Sequence, residues 1–346
     1  VIEDATLAPP RSAPASVKLA GLRCAVLGAG GFLGGALASA LCDRGAVVRG
    51  YGRLANRSGR DERIVWTNAE LSDTPSLASA LDGQQVVFHC IGSSLPATSN
   101  ENPAAALLDD VHGTLELLDL CVATGVTKVI FASSGGTVYG VPPLVPTPET
   151  APTNPISAYG INKLTIEKYL ALYHRLHGLE YRVLRIANPY GPGQSPLRPQ
   201  GVVASMVRAA LSGAAIEIWG TGEVTRDFLY VDDVVDVLLR SAAYEGPERV
   251  FNVGSGVGRT VNDILAAVQD AFDGAPLEVV RKPGRIADVP VSVLDPALAR
   301  RAFGWEPTVG LREGILNTAA WMRAALSDSP VPLSRDRRPL PDAGST

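Results

Sequence analysis

Gly28, Gly31 and Gly34 recur at every third position directly behind the short apolar run 22–27, and an Ala- and Leu-rich stretch continues from them to Arg44. The run reads as a buried parallel strand and the stretch behind the glycines as a helix. In such a turn the first glycine permits the tight bend and the second lets a pyrophosphate approach the backbone. The third lets helix and strand pack closely, and the helix N-terminus faces the anion. Glycine triplets also serve ordinary turns, so it is the strand–turn–helix setting that marks a dinucleotide loop. Gly28, Gly31, Phe32, Leu33 and Gly34 are therefore the expected cofactor contacts.

The same alternation continues down the chain. Apolar segments at 47–51, 64–66, 85–89, 128–132 and 181–185 alternate with helical stretches at 76–81, 103–124 and 159–177. Such βαβ units imply right-handed crossovers and a parallel sheet covered on both faces. After Asn188 the rhythm changes to longer Gly- and Pro-containing loops around a helix at 202–211 and short segments at 216–219 and 250–253. The fold class is α/β: a Rossmann-type doubly wound parallel sheet over 18–187, with 226–245 packing back on it. A smaller α/β substrate-binding domain over 188–325 lies at its C-terminal side, where open sheets bind ligands. Segments 1–17 and 326–346 read as disordered tails.

Composition narrows the partners. A formal net charge of -4 over 346 residues gives no broad attraction to nucleic acid or anionic membrane. The first twenty residues hold three prolines and no long apolar core, so they read as neither signal peptide nor anchor. Cys24, Cys42, Cys90 and Cys121 sit in apolar runs without CxxC spacing, which suits core thiols in a reducing, cytoplasmic setting. No metal site is expected.

The second strand ends on Tyr51-Gly52-Arg53. NAD sites usually place an acid there to hold the ribose 2′-hydroxyl. With no carboxylate and a guanidinium instead, the choice between NAD and NADP leans to NADP, although Arg53 also fits as a solvated loop residue.

Tyr159 and Lys163 stand four apart, one turn on one helix face. A phenol has an ordinary pKa near ~10, and a neighbouring ammonium lowers it. Upstream, Ser133-Ser134-Gly135-Gly136-Thr137 leaves a strand and brings hydroxyls to the sheet's carboxyl edge.

With these three segments the chain resembles the extended short-chain dehydrogenase/reductase family, and within it the nucleotide-sugar 4-epimerases. Further matching stretches are 154–163, 184–192, 226–234 and 252–256. The resemblance implies that Tyr159 is the general base on the sugar 4-hydroxyl and that Lys163 binds the nicotinamide ribose and depresses the tyrosine's pKa. Ser134, or Thr137 if one extra glycine shifts the register, would bond O4. Asn188, Arg226 and Arg285 would hold the diphosphate, Asp288 the nucleotide ribose, and Trp219 would flank the base, although a lone Trp is more often core. A homodimer through the 103–124 and 159–177 helices is also implied.

Two positions depart from the family. Asp110 stands where an asparagine is common, and Ser292 where a tyrosine often gates the sugar, which suits an N-acetylhexosamine. Relatives that dehydrate or decarboxylate carry acids after the serine, where this chain has Gly135-Gly136. The resemblance therefore favours a 4-epimerase acting on a UDP-hexose or UDP-N-acetylhexosamine. An NADPH-dependent reductase of a nucleotide-linked 4-keto-6-deoxysugar is the alternative, and a non-catalytic cofactor sensor a third reading.

Overall fold

The computed structural model describes residues 19–53, 61–92, 99–195, 201–274, 277–284 and 289–327. The expected tail 1–17 lies outside these, as does 326–346 apart from its first two positions, which end the last helix, and Arg285 and Asp288 lie outside as well. The first half of the chain alternates as its pattern requires: β1 (Arg23–Leu27), α1 (Phe32–Asp43), β2 (Val47–Tyr51), β3 (Val65–Thr67), α2 (Thr74–Leu81), β4 (Val86–His89), α3 (Pro103–Leu107), α4 (Gly113–Thr124) and β5 (Lys128–Ser134). The short α5 (Gly135–Val138) and the long α6 (Ala158–His177) lead to β6 (Glu180–Ile186). Strands β7 (Asn188–Tyr190), β8 (Ile216–Trp219) and β9 (Thr225–Tyr230) follow, with α7 (Val202–Ser212) between the first two, and then α8 (Val231–Ala243) and β10 (Val250–Val253). The chain closes with β11 (Gly258–Thr260), α9 (Val261–Ala271), β12 (Val279–Lys282), β13 (Val291–Ser292), α10 (Ala297–Phe303) and α11 (Leu311–Ser327).

Seven parallel strands form the main sheet in the order β10-β6-β5-β4-β1-β2-β3. Side chains alternate between two cores. Val26, Phe88, Ile130 and Leu184 enter one, with Leu37 and Leu41 of α1 and Val234 and Leu238 of α8. Ala25, Val87, Phe131 and Val183 enter the other, with Leu77 of α2, Leu117 of α4 and Ile166 of α6. Burial on both faces is why these strands are written as apolar runs. The order reverses at β1, which has β2 on one side and β4 on the other, so the crevice for a ligand opens between the ends of β1 and β4.

Three features differ from the expectations. β10, grouped in the sequence with the smaller region, is the edge strand of the main sheet, paired with β6. The segment 226–245 divides: β9 joins a four-stranded sheet with β7, β11 and β13, and α8 turns back against α1. The helix expected over 103–124 is interrupted by a π turn, Leu108–His112. Its extra residue is invisible to a 3.6-residue pattern. The Thr114 hydroxyl donates to Asp110 O (2.6 Å) within it and pairs with His89 Nε2 of β4 (2.9 Å).

Candidate active site

The glycine loop fits a bound dinucleotide. A Cβ on Gly34 would lie 2.2 Å from Gly28 O, and one on Gly28 3.0 Å from the Cys90 carbonyl carbon behind β4. Gly31 caps α1 without a side-chain bond, and the first turn carries no acid. The first amides of α1 are thus left for an anion. Phe32 reaches the loop after β7, where a Cβ on Gly193 would stand 3.6 Å from Phe32 Cδ2, and Leu33 packs against the core. Beyond β2 the Arg53 side chain is largely exposed and lies 3.9 Å from Glu70. Sequence reading missed this acid, because no spacing rule links the ends of β2 and β3.

Helix α6 presents Tyr159 and Lys163 to the ends of β4 and β5. Its N-terminus is fixed by the Ser157 hydroxyl, which accepts from Gly160 N, and by Ser99 Oγ and Asn100 Oδ1, which accept from the amides of Tyr159 (3.1 Å) and Ala158 (2.9 Å). The Lys163 ammonium donates to Ile91 O (3.3 Å) and Ala132 O (3.1 Å), 4.7 Å from the Phe131 ring centroid and 5.6 Å from that of Tyr159. A Cβ on Gly92 would approach Lys163 Nζ at 3.8 Å and the Tyr159 ring at 3.9 Å, so the glycine leaves this corner open.

Of the two hydroxyl candidates, Ser134 is the one whose side chain favours the ionised Tyr159 phenol. Thr137 instead donates to Ser134 O at 3.4 Å, within its own turn. Burial pushes the Tyr159 phenol up to about 12, the charge of Asp110 adds to this, and Ser134 pulls it back. Burial is the largest cause of this shift, and the Lys163 ammonium, which the resemblance expects to depress the value, is committed to two carbonyls. Burial also lowers the lysine's own value, against the charges of Asp110, Cys90 and Glu167. His89 is pushed down to about 3 by burial and by Lys163, so its ring is neutral.

The smaller sheet carries the polar side chains of the other wall. Asn188 Nδ2 donates to Asp227 O (3.1 Å), and Arg226 Nη1 donates to Thr225 O (2.9 Å) and Val289 O (2.6 Å). Asp227 is fully buried and accepts from Ser255, Gly256 and Leu294, which fixes the strand beneath Arg226. Ser292 stands beside Arg226 in the β13–β9 register. Trp219, at 42% exposed, is not core and sits at the end of β8 beside Lys282. Among the described residues no group of three or more His, Cys, Asp or Glu could hold a metal ion, and no helix is long and apolar enough to cross a membrane. All four cysteines are free.

A doubly wound sheet with a glycine loop at its switch point and a tyrosine, lysine and serine at the neighbouring strand ends defines a dinucleotide-dependent enzyme of the short-chain dehydrogenase type. The chain belongs to the NAD dependent epimerase/dehydratase family, whose model matches residues 24–254. It is 38% identical over 314 residues to a UDP-glucose 4-epimerase of Mycolicibacterium smegmatis, covering 87% of this chain and 99% of that relative. The structure of Thermotoga maritima UDP-glucose 4-epimerase with UDP-glucose superposes with a TM-score of 0.84 at 36% identity, over 88% of this chain and 100% of the other. The Thermus thermophilus UDP-glucose 4-epimerase in complex with NAD gives 0.81 at 34% identity, over 88% and 100%.

Proposed function

We propose that this protein is a nucleotide-sugar 4-epimerase acting on a UDP-hexose or UDP-N-acetylhexosamine. The observation that carries the reading is Tyr159 with Lys163 5.6 Å from its ring centroid, Ser134 favouring its ionised form and no carboxylate at 135 or 136. A side chain at 135 has no room, since its Cβ would fall 2.4 Å from Leu294 Cδ1. The site therefore has one group to exchange a proton with the sugar and no second acid to drive loss of water or carboxylate.

Gly28, Gly31 and Gly34 with the start of α1 would hold the cofactor's pyrophosphate, and Lys163 its ribose. When bound, the nicotinamide takes up and returns the C4 hydride and, when oxidised, brings a positive charge. Tyr159 removes the O4 proton and later restores it, while Ser134 fixes O4 by a hydrogen bond. Asn188, Arg226 and Arg285 hold the diphosphate, Asp288 the ribose, and Trp219 flanks the base. The sugar turns over between oxidation and reduction while its nucleotide stays anchored. Residues 18–187 with α8 and β10 form the cofactor half in this proposal, and the remainder of 188–325 the substrate half.

Gly52 and Arg53 follow β2 directly, and among the described residues the largely exposed Arg53 side chain lies 3.9 Å from Glu70, which leaves NAD and NADP as the two forms to separate. Denaturing the purified protein and identifying the released dinucleotide separates them. Leu107 and Leu108 on the α3 side and Ile161, Leu172 and Leu176 on α6 are exposed apolar residues on two contacting elements, which supports a homodimer through these helices. Free thiols suit the cytoplasm.

The test is proton NMR of the purified protein with UDP-glucose and UDP-N-acetylglucosamine and no added cofactor. Appearance of the galacto epimers is expected. Their absence together with NADPH consumption on a nucleotide-linked 4-keto-6-deoxysugar would replace this reading by the reductase, which Arg53 favours.

A further inference from the structure

A buried polar chain runs behind the site, and the proposed chemistry does not use it. Glu167 lies one turn beyond Lys163 on the same face of α6 and is 4% exposed. Its carboxylate accepts from Ser133 Oγ (2.6 Å), the residue before Ser134, and from Arg185 through Nε (3.1 and 3.2 Å) and Nη2 (2.6 Å). Arg185 Nη1 continues to the Tyr139 hydroxyl (2.8 Å), which donates to Asn252 Oδ1 (2.7 Å). Asn252 Nδ2 donates to Thr147 O (2.8 Å). Thr147 is in turn stitched to the segment that carries Ser292: its N–H donates to Val293 O, and its carbonyl accepts from Asp295 N, both at 2.9 Å.

The chain thus starts beneath Lys163 and Ser134 and ends at the strand expected to face the sugar. A buried ion pair is often no more stabilising than apolar residues of the same volume. What distinguishes this one is where its two ends attach. Resting on the nucleotide-sugar reading, we propose that Glu167 and Arg185 are positioning residues for Lys163 and Ser134. Tyr139 is the joint through which the same chain holds the Ser292 strand in register with them. None of the three touches the substrate.

The charged and titratable groups around the pair are Lys163 on α6, Tyr181 on β6, and Tyr139 with Glu149 behind α5. Asp110 and Cys90 face Lys163 from the π turn and from the end of β4. The negative charge of Glu167 favours protonated Lys163 against its burial.

Tyr139→Phe removes both hydroxyl bonds and keeps the ring. Hydrogen–deuterium exchange of the folded variant should rise together in 158–167 and in 291–295, and kcat should fall by about tenfold or more. Exchange confined to 137–141, or wild-type turnover, overturns the proposal. Glu167→Gln removes the counter-charge, so the alkaline limb of the pH–rate profile should move to lower pH; an unmoved limb in a native-like variant overturns the Lys163 part. If the wild type turns over no nucleotide sugar, the functional reading fails, and the exchange experiment still decides whether the two segments are coupled.

Discussion

A Cβ built on Gly136 would stand 3.9 Å from the Ser292 hydroxyl, so the turn behind β5 and the strand β13 face each other through two small residues. Under the proposed function this is where a 2-acetamido group finds room. Ser292→Tyr should fill the gap and discriminate by substituent size. The ratio of kcat/KM for UDP-N-acetylglucosamine over UDP-glucose should drop about tenfold or more, since one or two groups in a pocket are worth that much. Competition between the two substrates followed by NMR measures it, and an unchanged ratio would remove Ser292 from the sugar site.

Ser134 and Thr137 have different tasks here, and single substitutions separate them. Tyr159→Phe should cost about a hundred- to ten-thousandfold in turnover, the range for losing a general base. Ser134→Ala should reduce turnover because O4 loses a partner and the ionised phenol loses a group that favours it. Thr137→Val should cost much less, since its hydroxyl is turned to the Ser134 carbonyl. Equal losses at 134 and 137 would restore Thr137 as a substrate contact. Circular dichroism of each variant checks that the fold is intact.

Asp110 makes the pH dependence of this chain its own. Burial first and Asp110 second raise the Tyr159 pKa. Under the proposed function activity needs the ionised phenol, so turnover should rise with pH along the acid limb. Asp110→Asn removes the negative charge, lowers the pKa, and should move the acid limb of kcat/KM to lower pH. The same change withdraws support from the Lys163 ammonium, whose pKa Asp110 raises. The alkaline limb should therefore move down as well, and the optimum with it. A pH–rate profile of both proteins shows this; an optimum moving upward contradicts it.

The sheet was readable because its strands are buried on both faces and therefore written as apolar runs, and because Gly28, Gly31 and Gly34 have few other uses in that setting. β10 was not readable as part of the same sheet. Four residues between loops look alike wherever they pair, and its partner β6 lies more than sixty positions earlier in the chain. The π turn escaped because Asp110 is displaced by one residue from any 3.6-residue face. Glu167 could have been found, since it repeats the four-residue step from Tyr159 to Lys163. Its partners Ser133 and Arg185 come from two other strands, and only the register of β5 and β6 brings them together. The sign of the Tyr159 shift needed the burial of the folded site, which a sequence does not contain.

Gly34 offers the most direct check of the cofactor loop. Its missing side chain is where the Gly28 carbonyl passes, and an added Cβ would fall 2.2 Å from that oxygen and 2.6 Å from its carbon. Both neighbours are backbone held by β1 and α1, so neither can swing aside as a side chain would. Gly34→Ala should therefore push α1 away from β1, at about 1–3 kcal/mol of stability, the usual range for overpacking. The shift displaces the first-turn amides that would meet the pyrophosphate. The purified variant should release less dinucleotide on denaturation than the wild type, and its thermal midpoint should fall. Gly83→Ala is the control: its added Cβ meets nothing within 4 Å, although its φ of +70° carries backbone strain, so it should lower stability without changing the dinucleotide released per folded chain. Equal cofactor content in the Gly34 variant and the wild type would mean that the pyrophosphate binds elsewhere.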